Sequence, residues 1–182
     1  APMTASADAN CQAPLPNVLA GVTAGDNCDA SLTVTQSPAA GTLVWLGTHT
    51  ITVTATDDAG NSAACTTTFT VTDTTPPSVA IVTPQTGQTI PGDFTLSAEI
   101  SDDRGITSVD LYDNDEVVAS DSSPPFEWPE TNYPQGEHVF AIVAYDEAGN
   151  AGEDSVTVVV DWDFECTRGD CCCGDSCCEE DC

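Results

Sequence analysis

The sequence has almost no basic residues. Among its 182 residues there are 2 Lys and Arg against 30 Asp and Glu, a formal net charge of −28. A surface of this sign repels other polyanions, so the composition excludes nucleic acid and anionic membrane surfaces as partners. The same acidity serves either solubility or Ca²⁺, which binds through carboxylate and carbonyl oxygens.

Long apolar runs are also missing. No stretch approaches the about 20 apolar residues of a membrane-spanning helix, so we expect no membrane insertion. The chain begins Ala-Pro-Met-Thr, as expected of a mature protein whose leader has been removed. Cysteine, in contrast, occurs 10 times, which is typical of an oxidising compartment. These features predict a secreted, disulfide-bonded protein located outside the cell or at its surface.

Histidine occurs only twice, as His49 and His138. Both lie at equivalent places in an internal repeat formed by residues 47–61 and 136–150, so we interpret them as scaffold residues at exposed strand starts. No Ser/His/Asp or Cys/His constellation is plausible around them. No pair of acids points to the cleft that glycoside hydrolysis needs. The sequence therefore predicts no catalytic residues and a protein that is not an enzyme.

The repeat is the most informative feature that is present. Residues 47–61 (GTHTITVTATDDAGN) return as residues 136–150 (GEHVFAIVAYDEAGN), at a constant offset of 89 residues. Each copy is a strand with period-2 alternation that runs into an Asp-x-Ala-Gly-Asn turn. In the turns we expect Gly60 and Gly149 at positive φ and Asn61 and Asn150 bonded to their own backbone. Two copies in series indicate two structural units.

The strand pattern predicts an all-β protein of two sandwiches, with domains at residues 1–75 and 76–163. In the first, Ile51, Val53 and Ala55 face inward and the intervening threonines face water. Two prolines stiffen a linker at residues 73–77. In the second domain we expect strands at residues 78–84, 94–101, 107–112, 116–120, 138–145 and 155–162.

Residues 164–182 form a third, cysteine-rich segment, with seven cysteines in the 17 residues from Cys166 to Cys182. They are Cys166, Cys171, Cys172, Cys173, Cys177, Cys178 and Cys182. The segment lacks the apolar side chains for a core, so only disulfides or metal could order it. Paired Cys-x-x-Cys spacing is absent, which argues against Zn²⁺ or Cu⁺. Arg168-Gly169-Asp170 looks like a constrained integrin ligand, but so short a match in a Gly- and Asp-rich tail is weak.

Residues 10–77 resemble a hyalin repeat (HYR) domain, and residues 76–160 resemble bacterial Ig-like domains. The first resemblance rests on Asp26-Asn27-Cys28, Thr35-Gln36-Ser37-Pro38, Gly41-Thr42, Gly47-Thr48, and the runs 55–65 and 73–77. The second rests on Pro76-Pro77, Ile100-Ser101-Asp102, residues 109–112, Gly136-Glu137-His138 and Ala144-Tyr145-Asp146. Together they imply tandem Ig-like sandwiches with an extracellular adhesion or structural role. HYR domains commonly open with a further strand before the position of Met3, so the first domain is expected to have an incomplete sheet.

The Ig topology implied by this resemblance brings acids together at one end of each sandwich. In the second domain they are Asp102 and Asp103 before one strand, Asp146 and Glu147 after another, and Asp73 from the linker. Carboxylates so placed repel one another unless a cation neutralises them, so we expect Ca²⁺ here. The related set in the first domain is Asp26, Asp29, Asp57 and Asp58.

The cysteines are odd in number in both places where they occur. The first domain has Cys11, Cys28 and Cys65, and the tail has seven. If all are oxidised, at least one bond joins a first domain to a tail, in the same chain or the next; free thiols are the alternative. The HYR resemblance implies a Cys28–Cys65 bond, which leaves Cys11 for a tail.

These observations predict a secreted structural protein, the protomer of a filament in which copies associate head to tail through calcium and disulfides. A tail that meets the first domain of the next copy makes a contact that does not close on itself. The alternative is a monomeric or surface-tethered cell-adhesion module that binds carbohydrate or another protein through its loops.

Overall fold

The computed structural model describes residues 2–29, 31–162, 172–173 and 176–177. The chain divides into two compact units, Ala1–Thr74 and Thr75–Cys182. The described residues form β-strands and one 3-10 turn, Leu19–Gly21, with no α-helix among them, which confirms the all-β prediction. The strands are β1 Met3–Ser6, β2 Gln12–Pro14, β3 Thr33–Ser37, β4 Leu43–Trp45, β5 Gly47–Thr56, β6 Ser62–Thr72, β7 Ser78–Thr83, β8 Thr89–Ile90, β9 Phe94–Ser101, β10 Ile106–Asp113, β11 Glu116–Asp121, β12 Phe126–Glu130, β13 Gly136–Asp146, β14 Ala151–Val160, β15 Cys172–Cys173 and β16 Ser176–Cys177.

The first unit is a small sandwich. One sheet has the order β1-β6-β5-β3, and the other contains only β2 and β4. The alternation predicted for β5 is confirmed for Ile51 and Val53, which are buried while the threonines beside them are more exposed; Ala55, also predicted to face inward, is only half-buried. The buried core is a cluster of five side chains: Ala13, Leu15, Ile51, Phe69 and Val71.

The second unit is a fuller sandwich. A sheet of order β11-β10-β13-β14-β8 faces a sheet of order β12-β9-β7. Twelve buried residues fill the space between them, including Leu96, Leu111, Phe140 and Ile142 at 1% exposure or less. This unit therefore buries a much larger apolar core than the first.

The 89-residue repeat is visible in the strand pairing. β5 and β6 form the same antiparallel hairpin as β13 and β14. A short strand then pairs in parallel with the end of each hairpin, β1 with β6 and β8 with β14. In the second unit a further strand, β7, precedes β8 and pairs with β9. In the first unit the first strand described is β1, so the expectation of an incomplete sheet stays a prediction.

The predicted strands of the second domain are found, but two others were not predicted. β8 is only two residues long. β12 contains Pro129, which cannot donate to a ladder and so argues against a strand. The structure places β12 at the edge of its sheet, where a missing donor is tolerated. β14 also begins four residues earlier than expected, because Gly152 and two acids hide its alternation.

Candidate functional site

The Asp-x-Ala-Gly-Asn turns have the same geometry in both units. In the second, Asn150 donates from its backbone N–H to Oδ1 of Asp146 (2.8 Å) and from its side-chain amide to Oδ2 (2.7 Å). In the first, Asn61 makes the same two bonds to Asp57, at 2.7 and 2.8 Å. Gly60 and Gly149 have φ of +90° and +87°, as expected. The asparagine amides bond the aspartate, not their own backbone as predicted, so each aspartate has a structural role.

These bonds affect the pKa of both aspartates. The Asn61 amide, with backbone N–H donors of the turn, lowers the pKa of Asp57. Asp146 is only 3% exposed, and burial alone raises its pKa. The bonds from Asn150 and from the turn backbone outweigh that effect, so the pKa of Asp146 is lowered overall. Both carboxylates are therefore ionised at neutral pH.

We expect this turn to make the second unit acid-sensitive. A carboxyl group whose pKa is lower in the folded state contributes stability above its unfolded pKa of about 3.9 and loses it as pH falls through the folded value. Asn150→Ala removes the side-chain amide that donates to Asp146, so it should lower the melting temperature at pH 7 and flatten the loss of stability between about pH 5 and pH 2. Calorimetry across this range checks the result. Equal pH slopes for the variant and the native chain would contradict it.

Two of the acids predicted for calcium in the second unit lie together. Asp102, between β9 and β10, and Asp146, at the end of β13, each offer a carboxylate oxygen within 4.8 Å of the other. Oδ1 of Asp102 accepts the backbone N–H of Arg104 at 2.8 Å. Oδ2 of Asp102 is buried and accepts no hydrogen bond from the described residues. Since a buried carboxylate oxygen without a donor is costly, this atom points to a ligand.

The other acids of the second unit are placed differently. Glu147 is exposed and forms an ion pair with Arg104, whose Nη2 lies 3.1 Å from Oε2 of Glu147. Asp103 is exposed. Arg104, two residues after Asp102, places a positive charge beside these acids. The sequence alone did not indicate this contribution.

Asp73 belongs to the linker and follows β6 directly. Two residues later, Thr75 begins the second unit, where its carbonyl accepts the Asn150 side-chain amide at 3.3 Å. Asp73 lies at the end of the first unit, whereas Asp102 and Asp146 belong to the second.

In the first unit the acids predicted to bind calcium accept hydrogen bonds from backbone N–H groups of the loops around them. Oδ1 of Asp26 accepts the backbone N–H groups of Cys28 (2.8 Å) and Asp29 (2.9 Å). Asp29 accepts the backbone N–H of Asp58 at 2.9 Å, which ties the two loops together. The side chains of Asp26 and Asp58 are exposed. These contacts account for the positions of the acids without a metal.

Cys11, Cys28 and Cys65 are free thiols in the structure, the last two exposed. The Cys28–Cys65 bond implied by the HYR resemblance is therefore not formed here. The side chains of the seven tail cysteines, and the Arg168-Gly169-Asp170 triplet, lie outside the described residues. Their pairing stays a prediction.

The two histidines close equivalent turns. Nε2 of His49 lies 2.6 Å from the carbonyl oxygen of Trp45, and Nε2 of His138 lies 3.0 Å from that of Pro134. The partner is four residues earlier in each case, which confirms a scaffold role. The expectation of an exposed strand start was wrong for His138, which is 7% exposed, because the larger core of the second unit encloses it.

His138 also belongs to a buried network that sequence analysis missed. Its Nδ1 lies 2.9 Å from Oδ2 of Asp113, which also accepts the Tyr133 hydroxyl at 3.0 Å. Burial, followed by the bond to Asp113, raises the pKa of Tyr133. The His138 ring stacks on Phe140 with centroids 5.8 Å apart. The offset between Asp113 and His138, 25 residues, gives no local pattern that could have revealed the pair.

The first unit has an open surface beside β6. Two adjoining clefts of about 460 and 380 Å³ share Val22, Val53 and Cys65 in their walls. We call them together the β6 cleft, because residues of β6 line both. Met3 lines one end and Asp26 and Asp57 line the other.

Comparison with known proteins identifies both units. Residues 18–72 match the family described as HYR domain, and residues 77–158 match the family described as bacterial Ig domain. Two curated relatives, ulvan lyases (long isoform) from Alteromonas sp and Pseudoalteromonas sp. (strain PLSV), are 32% and 30% identical over 130 residues. In each case the match covers 64% of this chain and only 13% of the relative.

A similar solved structure is that of the fibronectin(III)-like modules of Clostridium thermocellum CbhA. It is 20% identical, with a TM-score of 0.46, and the match covers 88% of this chain and 90% of the other.

In the part of the chain that the structure describes, no helix is long and apolar enough to cross a bilayer. Domains of the two matched families are typically extracellular, non-catalytic modules of adhesion or structural type. The chain contains an HYR domain at residues 18–72, followed by a bacterial Ig domain at residues 77–158.

Proposed function

We propose that this protein is a non-catalytic structural subunit of an extracellular filament, in which copies associate head to tail. The observation that carries the proposal is the β6 cleft. It exposes an apolar sheet face in the first unit, at the place that β7 covers in the second. An uncovered strand beside such a face readily accepts another chain.

In the proposed filament, the second unit contacts the next copy through the end at which its chain leaves the sandwich. Its chain enters beside the β13–β14 turn, where Thr75 contacts Asn150, and leaves at Val160 after the ten residues of β14. At about 3.4 Å per residue, entry and exit lie about 30 Å apart. A contact between this exit and the cleft of another copy joins unlike surfaces, so it propagates and does not close.

Electron microscopy of negatively stained full-length protein, with sedimentation velocity on the same sample, tests the proposal. We expect filaments whose average length increases with concentration. Non-reducing gels of assembled material should show a ladder that collapses with reductant, because the odd cysteine numbers favour bonds between copies. Dispersed single particles at every concentration would refute the filament.

Calcium at Asp102 and Asp146 is part of the proposal. Asp102 contributes a buried oxygen that accepts no hydrogen bond from the described residues, and Asp146 remains ionised through its turn bonds. The two carboxylates lie close together and offer the oxygen ligands that Ca²⁺ prefers. Arg104 partly compensates this charge, so we expect a weak site of about millimolar affinity.

We expect CaCl₂ at about 10 mM to raise the melting temperature of the second unit by a few degrees. Asp102→Asn should abolish the shift, because it removes the charge of the oxygen that accepts no hydrogen bond. Glu116→Gln, an exposed carboxylate in β11, is the matched control and should keep the shift. Titration calorimetry without heat up to that concentration would contradict a calcium role.

A second candidate is a binding module of a larger protein. It is favoured by the 130-residue similarity to ulvan lyases much longer than this chain, and by the exposure of Trp45 (62%) and Leu43 (55%) on β4. An exposed aromatic side chain of this kind suits a sugar or protein ligand. Quenching of Trp45 fluorescence by a polysaccharide, lost in Trp45→Ala, would support this function in a protein that stays monomeric.

A further inference from the structure

We propose that the outer face of the β1-β6-β5-β3 sheet in the first unit binds the surface of ice crystals. This activity goes beyond the filament proposed above and does not depend on it. We call the surface the threonine face. Its members follow from the strand registers, because residues directly opposite each other point to the same side of a sheet. They are Thr4, Ser6, Thr33, Thr35, Ser37, Thr48, Thr50, Thr52, Thr54, Thr56, Ser62, Ala64, Thr66, Thr68, Thr70 and Thr72.

The threonine face carries no charged side chain. The whole chain has 30 acidic residues and a formal net charge of −28, so the lack of acids is a local property of this sheet. Every position except Ala64 presents a hydroxyl group. Such a face complements an uncharged partner made of hydrogen-bond donors and acceptors. A charge in the contact would lose part of its hydration at a high cost.

The fold does not require these threonines, as the internal repeat shows. β13 and β14 form the same hairpin in the second unit, 89 residues later. The outward residues of β13, at the places of the threonines of β5, are Glu137, Val139, Ala141, Val143 and Tyr145. The same sheet therefore forms with charged, apolar and aromatic residues on its outer face, and strand formation alone does not account for the threonines.

The hydroxyl groups repeat in two directions. Neighbouring strands lie about 4.8 Å apart, and alternate residues along a strand lie about 6.8 Å apart. Three pairs of opposite threonines on β5 and β6 form the centre of the face: Thr48–Thr70, Thr50–Thr68 and Thr52–Thr66. The hydroxyl oxygens of the first pair are 3.0 Å apart and share a hydrogen bond. Since branching at Cβ restricts χ1 of threonine, each hydroxyl and methyl group has a defined position.

Ice is a partner with matching periodicity. The oxygen atoms on its prism faces repeat at distances close to these two spacings. A threonine hydroxyl donates one hydrogen bond and accepts two, so it can take the place of a water molecule in the lattice. The methyl groups between the hydroxyls restrict the orientation of the adjacent water. Because sheets twist, the match is best at the centre, and we expect β5 and β6 to make the contact.

The face suits other partners less well. Its outward positions cover about 400 Å² at the strand spacings of a sheet, about half of the 800 Å² or so that each partner buries in a stable protein interface. It has no aromatic side chain on which a sugar ring could stack. It also offers no charge to a charged macromolecule.

Slow growth of an ice crystal in a dilute solution of the full-length protein tests the proposal. We expect the native protein to be included in the ice, whereas ordinary solutes stay in the liquid. Thr68→Lys places a long, charged side chain at the centre of the face and should abolish inclusion. Thr157→Lys is the matched control, because it makes the same change at the equivalent position of the second unit, 89 residues later. It should be included like the native chain.

Calorimetry on the same samples shows whether Thr68→Lys keeps the native melting temperature. If it does not, Thr68→Ser replaces it, since serine keeps the hydroxyl but loses the methyl group and the restricted χ1, and inclusion should fall with the fold intact. The protein is used at a concentration where sedimentation velocity shows monomers, so the result is independent of the filament. Native protein that stays in the liquid, or equal inclusion of the position-68 variant and Thr157→Lys, overturns the proposal.

Discussion

Gly152→Ala should destabilise the second unit by about 3 kcal/mol or more. An added Cβ at this position would lie 1.8 Å from the carbonyl oxygen and 2.8 Å from the carbonyl carbon of Pro77. Both are backbone atoms of a buried proline, so no side-chain rotation relieves the overlap. The start of β7 must move away from β14, and the bond from Ile81 to Asp154 is lost with it.

Differential scanning calorimetry measures this effect as a fall in the melting temperature of about 10 °C or more. Gly25→Ala is the control, because a Cβ there meets no atom within 4 Å. It should be neutral or slightly stabilising, since alanine has fewer unfolded conformations. Equal melting temperatures for Gly152→Ala and the native chain would show that β7 does not pack on β14 as described.

Asp113→Ala is expected to cost the second unit about 2 to 4 kcal/mol, because two buried donors lose their acceptor. The carboxylate lies 2.9 Å from Nδ1 of His138, and their side chains are 14% and 9% exposed. Nε2 of the same ring faces the Pro134 carbonyl, so both ring nitrogens face oxygen acceptors. Removing Asp113 leaves the buried imidazole and the Tyr133 hydroxyl without their shared acceptor.

Urea denaturation followed by Trp fluorescence checks this loss. Tyr133→Phe removes one donor of the same network and should cost about 1 kcal/mol. Asp115→Asn changes an exposed carboxylate two residues away and should leave the transition midpoint unchanged. A loss for Asp113→Ala no larger than for Asp115→Asn would rule out the network as a stabilising element.

The parts of this fold that sequence alone predicts are those with a local signal. Ile51 and Val53 alternate with threonines, and Gly60 and Gly149 recur in identical turns, so the two hairpins are readable from the pattern. The two domain families follow from the same residues. The pairing of the short strand β8 with the end of β14 depends on contacts 70 residues apart, which no local pattern reports.

The candidate site likewise has a part that the sequence predicts and a part that it does not. That Asp102 and Asp146 meet follows from an Ig topology, because both flank strands at one end of a sandwich. That Arg104 pairs with Glu147 and that His138 is buried depend on side-chain directions set by packing. The composition indicated an acidic surface with almost no basic residues. The structure places Arg104, one of only two basic residues, beside Asp102 and Glu147.

The parallel pairing of the short strands has a consequence under tension. β1 runs parallel to the end of β6, from Met3 opposite Phe69 to Ser6 opposite Thr72. A force that pulls the two ends of this unit apart draws the two strands past each other along their length. All ladder hydrogen bonds between them are then loaded in shear at once, where an antiparallel hairpin would open one bond at a time. A domain with this strand pairing can carry a pulling load along its chain before it unfolds.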